Sequence, residues 1–243
     1  MLKVELHTHT ADDPLDAIPH TTTQLIERAA SMGYDALAVT LHDRQLDLCP
    51  YASVAAEHGV TLIPGVERTI EGKHVLLLNF RRGAEDVRTF DDLAALKRRE
   101  SGLVIAPHPY FPGGTCLRGL MDRHANLFDA VEYNGMFTAW LNFNIPAVRW
   151  AHIRGKPMVG CGDVHRLRQL GTTYSLIDAE RDPDAICDAI RAGRVQVRAT
   201  PRSWASAVGI MADLKVAEVL PPGFWQDAPV PALPFTEARR SLR

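Results

Sequence analysis

Short apolar runs alternate along the chain with stretches of helical periodicity. The runs predict strands at Lys3–Leu6, Ala36–Thr40, Thr61–Pro64, His74–Phe80, Leu103–Ala106, Ala130–Tyr133, Met158–Cys161, Tyr174–Ile177 and Val195–Arg198. Several are continuously apolar, as expected of strands covered on both faces. Between them, Thr21 to Gln24 reads as a capping box that opens a helix, and Gly33 reads as its stop. Leu25, Ala29, Ala30 and Met32 supply that helix with an apolar face. A second helix is expected over residues 87–101. A third is opened by Asp182 with Pro183 behind it and closed by Gly193, with Ile186, Ala189 and Ile190 turned inward.

Strands alternating with helices predict parallel strands joined by helical crossovers. A barrel of β/α units fits 243 residues, with an open doubly wound sheet as the alternative. No Gly-x-Gly-x-x-Gly follows a strand and no phosphate-binding Walker loop is present, which counts against dinucleotide and P-loop readings. The expected division is a barrel over residues 1–200. A C-terminal helix and a tail rich in proline (Pro221, Pro222, Pro229, Pro231, Pro234) would fill residues 201–243.

Composition changes this picture little. The net charge is -2 and no block of lysine or arginine occurs, so a long nucleic acid is not expected as a partner, whereas a short nucleotide remains compatible. The first strand begins close to Met1 with no leader pattern before it, and no apolar run approaches membrane-spanning length. The four cysteines, Cys49, Cys116, Cys161 and Cys187, are widely spaced and suit reduced thiols, so a cytoplasmic location is expected.

The chemistry lies in the histidines. His7 and His9 stand two apart at a strand end, so their imidazoles project side by side, either as half of a divalent-metal site or as a solvated pair. Of the 10 histidines, His7, His9, His20, His42, His74, His108 and His165 fall at strand ends or in the loops beside them. His74 is the exception, at the start of its strand. Glu67 and Asp163 also follow strands. The C-terminal strand ends of a barrel converge on one mouth, which would gather these residues. Clustered imidazoles cannot all be protonated, and the carboxylates need counter-charge, a conflict that divalent ions resolve. The donors exceed the needs of one four-coordinate zinc and suit two or three metals sharing a carboxylate. His58, His124 and His152 read as ordinary helix residues.

The ordered motifs Glu5-Leu6-His7-Thr8-His9-Thr10, Val39-Thr40-Leu41-His42-Asp43, Gly65-Val66-Glu67, Ala106-Pro107-His108-Pro109 and Gly162-Asp163-Val164-His165 resemble the PHP (polymerase and histidinol phosphatase) family. The resemblance implies an α/β fold, a distorted (β/α)7 barrel with its metal site at the C-terminal ends of the strands. It implies a first metal on His7, His9, Glu67 and Asp163, and a second bridged by Glu67 and completed by His108 and His74. His20, His42 and His165 would hold a third. Zinc, manganese or iron would be the ions, and Glu67, Asp163 and His165 the catalytic residues. Two departures stand out. Residues 11–16 replace the usual Ser-Asp-Gly, so His20 is placed by context, and Leu41 precedes His42 where an aspartate is usual, with Asp43 as a substitute. Glu132 and Asn134 read either as groups that orient ligands or as solvated strand caps.

The implied activity is hydrolysis of a small phosphate ester, a phosphomonoester or short nucleotide, by a metal-bridging hydroxide. Arg118 and Arg166 are candidates to clamp the phosphate. Tyr110, Phe111, Phe137 and Trp140 could wall a pocket or pack as a loop cluster. The alternatives are an amidohydrolase, which also begins with His-x-His but uses a modified lysine as bridge, and a non-catalytic accessory module.

Overall fold

The computed structural model describes residues 1–217. Its order is β1 (Leu2–Glu5), α1 (Thr22–Ser31), β2 (Ala36–Val39), α2 (Ala52–Glu57), β3 (Thr61–Ile70), β4 (Lys73–Leu78), α3 (Phe90–Arg99), β5 (Leu103–Ala106), α4 (Leu120–Arg123), β6 (Ala130–Asn134), α5 (Ile145–Arg154), β7 (Met158–Cys161), β8 (Thr173–Ile177), α6 (Pro183–Arg191), β9 (Val195–Ala199) and α7 (Trp204–Ala217). The caps read from the sequence are present. The Thr21 side chain accepts from Gln24 N while Gln24 returns to the Thr21 backbone, and the Asp182 side chain accepts from Ala185 N with Pro183 at the helix start. The helix expected over 87–101 is shorter, because Thr89 forms its own capping box with Asp92.

The strands make one nine-stranded sheet, ordered β7-β6-β5-β4-β3-β2-β1-β8-β9, which curls into a nearly closed barrel. It is not parallel throughout. β1, β2 and β3 are parallel neighbours, as are β5, β6 and β7, but β4 runs antiparallel to both β3 and β5. The reason is local. β3 continues past Pro64 to Ile70, Glu71 and Gly72 take φ of 49° and 75°, and β4 returns at once with Ile70 paired to Lys73. Two residues with positive φ fit the twist of a tight hairpin and leave no room for a crossover helix. Gly65 is needed inside β3, since a Cβ there would stand 2.7 Å from Leu78 and 2.8 Å from Thr40.

The barrel closes where β7, one end of the sheet, meets β8 along a seam without a backbone ladder. The Ser175 hydroxyl on β8 accepts from Gly160 N at 2.9 Å and donates to Gly160 O at 3.1 Å. A Cβ at residue 160 would lie 2.6 Å from Tyr174 O, so glycine permits this approach. Above it, His9 N donates to Val164 O and Val164 N to His7 O. The barrel core contains Val4, Leu6, Ala38, Ile63, Leu76 and Ile105, among other buried side chains. β8 pairs Ile177 with Leu2 and so delivers the chain to the far end from the mouth. There α6 adds Ile186, Cys187, Ala189 and Ile190 to the same cluster.

α7 is tied to the mouth side. The buried Arg202 donates to Gly135 O and Gln169 O, and Arg168 pairs with Asp213 at 2.5 Å. The proline-rich segment from Pro221 to Pro234 lies outside the described residues. Among the described residues, no helix is long and apolar enough to cross a membrane.

Candidate metal centre

Glu67, on β3 and 1 % exposed, is the hub of the mouth. Its Oε2 lies 3.3 Å from His7 Nε2, 3.4 Å from His9 Nε2 and 3.2 Å from His42 Nε2. Its Oε1 lies 2.8 Å from His74 Nδ1 and 3.1 Å from His108 Nε2. Asp163 brings Oδ1 to 3.5 Å from His7 Nε2, 3.8 Å from His9 Nε2 and 3.3 Å from His165 Nδ1. His74 reaches the centre because β4 runs backwards, so that its first residues lie at the mouth where its neighbours end.

The donor atoms suit divalent ions. His7 Nε2 and His9 Nε2 are buried and make no hydrogen bond, yet both face carboxylate oxygens. An unpartnered buried nitrogen is costly unless something else is bound to it. Sets whose donor atoms lie within 4.8 Å of one another include His7, His9 and Glu67; His42, Glu67 and His74; His9, His42 and His165; and His7, His108 and Glu132. His20 belongs to none of these sets, although it is buried and both of its ring nitrogens lack hydrogen-bond partners.

The far nitrogens of the histidines are held by residues behind them. His7 Nδ1 faces Glu132 Oε1 at 3.2 Å, and the other oxygen of Glu132 accepts from His108 N at 2.5 Å. Asn134 donates to Asp163 Oδ2 at 3.2 Å and to Glu132 at 3.4 Å. Asp13 Oδ2 serves His9 Nδ1 at 2.9 Å, His42 Nδ1 at 3.0 Å and His42 N at 3.0 Å. Asp16 faces His165 Nε2 at 3.0 Å. Such partners fix the tautomer and leave the opposite nitrogen for an ion. The sequence reading missed Asp13 and Asp16, and its candidate Asp43 instead binds Arg68 and Thr69 N. The one signal for Asp13 was its place four residues after His9 in an acid-rich loop. Two candidate ligands, His108 with φ 29° and Asp163 with φ 50°, occupy the left-handed region, where strain is tolerated at functional positions.

The electrostatics are those of a crowded site. Burial opposes charge on His7, but Asp163, Glu67 and Glu132 outweigh it and hold the imidazole well above the ordinary histidine value. His108 is likewise raised, against burial, by Cys116, Glu67 and Asp163. His165 overcomes burial through Asp16 and Asp163 and is raised to about 10. His9 is lowered by burial and by the neighbouring His165 and His42. His20 falls to about 3, chiefly through burial. Glu67 and Asp163 both sit well below the usual carboxylate range because the imidazoles outweigh their burial.

The candidate phosphate clamps are engaged elsewhere. Arg118, exposed, donates to Phe111 O, and Arg166 donates to His165 O and to Asp213 O of α7. Phe111 lies 6.5 Å from the His108 ring and 5.5 Å from Phe143, beside the centre, while Phe137 packs against Tyr133. Trp140 is 86 % exposed. His124 stacks on Phe90, away from the centre.

Comparison with known proteins bears out the resemblance. Residues 142–195 match the family model described as PHP-associated. A 66-residue stretch is 44 % identical to a PolC-type DNA polymerase III from Caldanaerobacter subterraneus subsp. tengcongensis, covering 27 % of this chain and 5 % of the polymerase. A PolC-type polymerase from Staphylococcus epidermidis matches over 66 residues at 42 %, covering 27 % of this chain and 4 % of that protein. The chain thus spans only a small fraction of the curated relatives it matches.

Among solved structures, PsfC from Pseudomonas syringae superposes with a TM-score of 0.61 at 17 % identity, over 90 % of this chain and 99 % of that one. An amidohydrolase from Chromobacterium violaceum with bound sulfate and no metal has a TM-score of 0.53 at 16 % identity, over 67 % of this chain and 87 % of that one. A Bifidobacterium adolescentis protein assigned as a metal-dependent phosphoesterase gives 0.52 at 14 %, over the same shares of 67 % and 87 %. Endonuclease Q, solved with a 27-mer duplex carrying an abasic lesion at the active site, gives 0.52 at 15 %, over 86 % of this chain and 67 % of that one.

The last comparison corrects the expectation that no long nucleic acid would be a partner. Endonuclease Q, of similar fold, was solved with a duplex substrate. Net charge over a whole chain is a poor guide to such binding, because contact depends on the local field around the mouth.

Proposed function

We propose that this chain, which carries the PHP-type metal-dependent hydrolase fold, hydrolyses phosphate esters at the Glu67 centre with two or three divalent ions of zinc, manganese or iron. The observation that carries the reading is the division of donors about Glu67. His7, His9 and His42 face one carboxylate oxygen, and His74 and His108 face the other. A carboxylate with donors on both oxygens is suited to hold two ions side by side. Bound there, divalent ions supply Lewis acidity, which acidifies water near neutral pH and offsets the charge of a phosphoryl group.

The residues of the chain do the rest. Asp163, His74, His108 and His165 are the partly exposed members of the cluster, at 20 %, 14 %, 12 % and 12 % of the side chain, and so adjoin incoming substrate, with Asp163 the most open. Asp13, Glu132 and Asn134 fix the ligands behind them, which keeps donor positions constant as charge develops. His20 stays neutral in its buried position and is the weakest candidate for a third ion. The aromatic pair Phe111 and Phe143 borders the centre on the His108 side.

The substrate is a phosphomonoester or a nucleotide, with duplex DNA, the substrate form printed for endonuclease Q, to be assayed alongside. Amide hydrolysis, suggested by the name of the Chromobacterium structure, is disfavoured because the bridging position is filled by Glu67 rather than by a lysine. The test is to strip the protein of metal, reload it with manganese or zinc, and assay phosphomonoesters, nucleotides, oligonucleotides, lesion-bearing duplexes and acyl amides. Metal-dependent phosphoester cleavage is expected. Asp163→Asn should lower it by about 100-fold or more with an unchanged circular dichroism spectrum. Metal-loaded protein that cleaves no phosphoester in the panel refutes the proposal.

A further inference from the structure

The loop after His108 folds back on itself. Phe111 N donates to His108 O, Cys116 N to Gly113 O, and Arg118 N to Pro109 O. This return carries Cys116, 4 % exposed, to the rear of the histidine, with Sγ 3.6 Å from His108 Nδ1. The approach is tight, since a Cβ at Gly113 would stand 3.3 Å from the sulfur. The same loop braces the other histidine on that side of Glu67, because Thr115 O accepts from His74 N at 2.9 Å.

The two oxygens of Glu67 therefore have unlike surroundings. On the Oε2 side, the rear nitrogens of His7, His9 and His42 face the carboxylates of Glu132 and Asp13. On the Oε1 side, the rear nitrogen of His108 faces a thiol. A sulfur is a weak acceptor, and an imidazole backed by one is a poorer donor to an ion than an imidazole backed by a carboxylate.

We propose that Cys116 is the positioning residue for the ion on the Oε1 side of Glu67, accepting a hydrogen bond from His108 Nδ1–H so that Nε2 is presented to the ion, and that this ion is the more weakly held of the two. The inference rests on the metal-centre reading but not on the reaction, and its test reads metal alone. Metal-free wild type, Cys116→Ala and Cys116→Ser are titrated with zinc against a chromophoric chelator, and cobalt loading is followed by visible absorption.

The wild type should show a tighter and a weaker class of zinc. In Cys116→Ala the weaker class should lose a further ten- to hundredfold in affinity, with the cobalt band of that class altered and the tighter class unmoved. Cys116→Ser, which keeps an acceptor, should recover most of the loss. If Cys116→Ala fails to fold, Cys116→Val replaces it, keeping volume without an acceptor. Wild-type affinities in the alanine or valine variant overturn the proposal, as does an equal loss in the serine variant, which would mean that the thiol only fills space. Wild type that binds no zinc overturns the metal-centre reading and this inference with it, whereas a failure of the phosphoesterase assays leaves the zinc result standing.

Discussion

Replacing Glu5 with glutamine should remove part of the pH dependence of stability in the metal-free protein. Glu5 ends β1 and is fully buried. Its Oε1 accepts from Leu6 N at 3.1 Å, His7 N at 3.3 Å and Gly162 N at 2.8 Å, while its Oε2 has no partner. Burial, only partly offset by the backbone donors, raises the carboxyl from 4.5 to about 8. The unfolded chain therefore releases this proton from about pH 4.5, while the folded chain keeps it to about pH 8, so stability falls as pH rises through that window. At about 1.4 kcal/mol per pH unit the whole loss is about 5 kcal/mol, of which roughly 3 kcal/mol has accrued by pH 7. Glutamine has no charge to gain and should show no such loss. Its amide donors would stand where Oε2 lacks a partner, at a pH-independent cost of about 1–3 kcal/mol. The signature is thus the slope and not the level. Urea unfolding of metal-free wild type and Glu5→Gln, from about pH 5 to about pH 8, should give a difference that grows in favour of the variant by several kcal/mol. Parallel curves across that range would refute the reasoning.

Adding zinc to metal-free protein at pH 7 should release more than one proton per chain, because His7 and His108 are raised well above 6.5 and His165 to about 10, and ligation requires neutral imidazole. Zinc affinity should correspondingly rise with pH from about 7 towards 10, and calorimetry in buffers of different ionisation enthalpy reads both effects; release of no protons counts against the centre. Asp13→Ala removes one oxygen that serves both His9 and His42, and should weaken zinc by about ten- to hundredfold in chelator competition; unchanged binding would relegate Asp13 to loop packing.

How far the sequence could be read is clear from particular residues. His7, His9, Glu67 and Asp163 could be placed together because strand ends converge in a barrel, whatever the details of pairing. His74 could be named but not explained. Its place at a strand start becomes sensible only when β3 and β4 form a hairpin, and the run of residues past Pro64 does not reveal that Glu71 and Gly72 turn the chain in two residues. Asp13 was hidden because loop geometry, not periodicity, decides which of several nearby acids turns inward. Cys116 left no mark at all, since its approach to His108 depends on the fold of a long return loop. Arg166 shows the converse. Adjacency to a ligand suggested a phosphate clamp, yet its guanidinium holds α7.

The seam between β7 and the β1–β8 side of the barrel would give the candidate centre a second role. Where other neighbours are joined by a ladder, β7 is held to β8 by Ser175 and Gly160, and the chain just after β7 is held to the end of β1 by the Glu5 contact with Gly162 and the short bridge between Thr8 and Val164. A barrel opens most easily along such a line. His7 and His9 stand on one side of it and Asp163 on the other, so an ion shared by the three would rivet the barrel shut. Metal binding would then slow hydrogen exchange most strongly at Gly160, Gly162 and Val164, and the reaction centre would double as the clasp of its own scaffold.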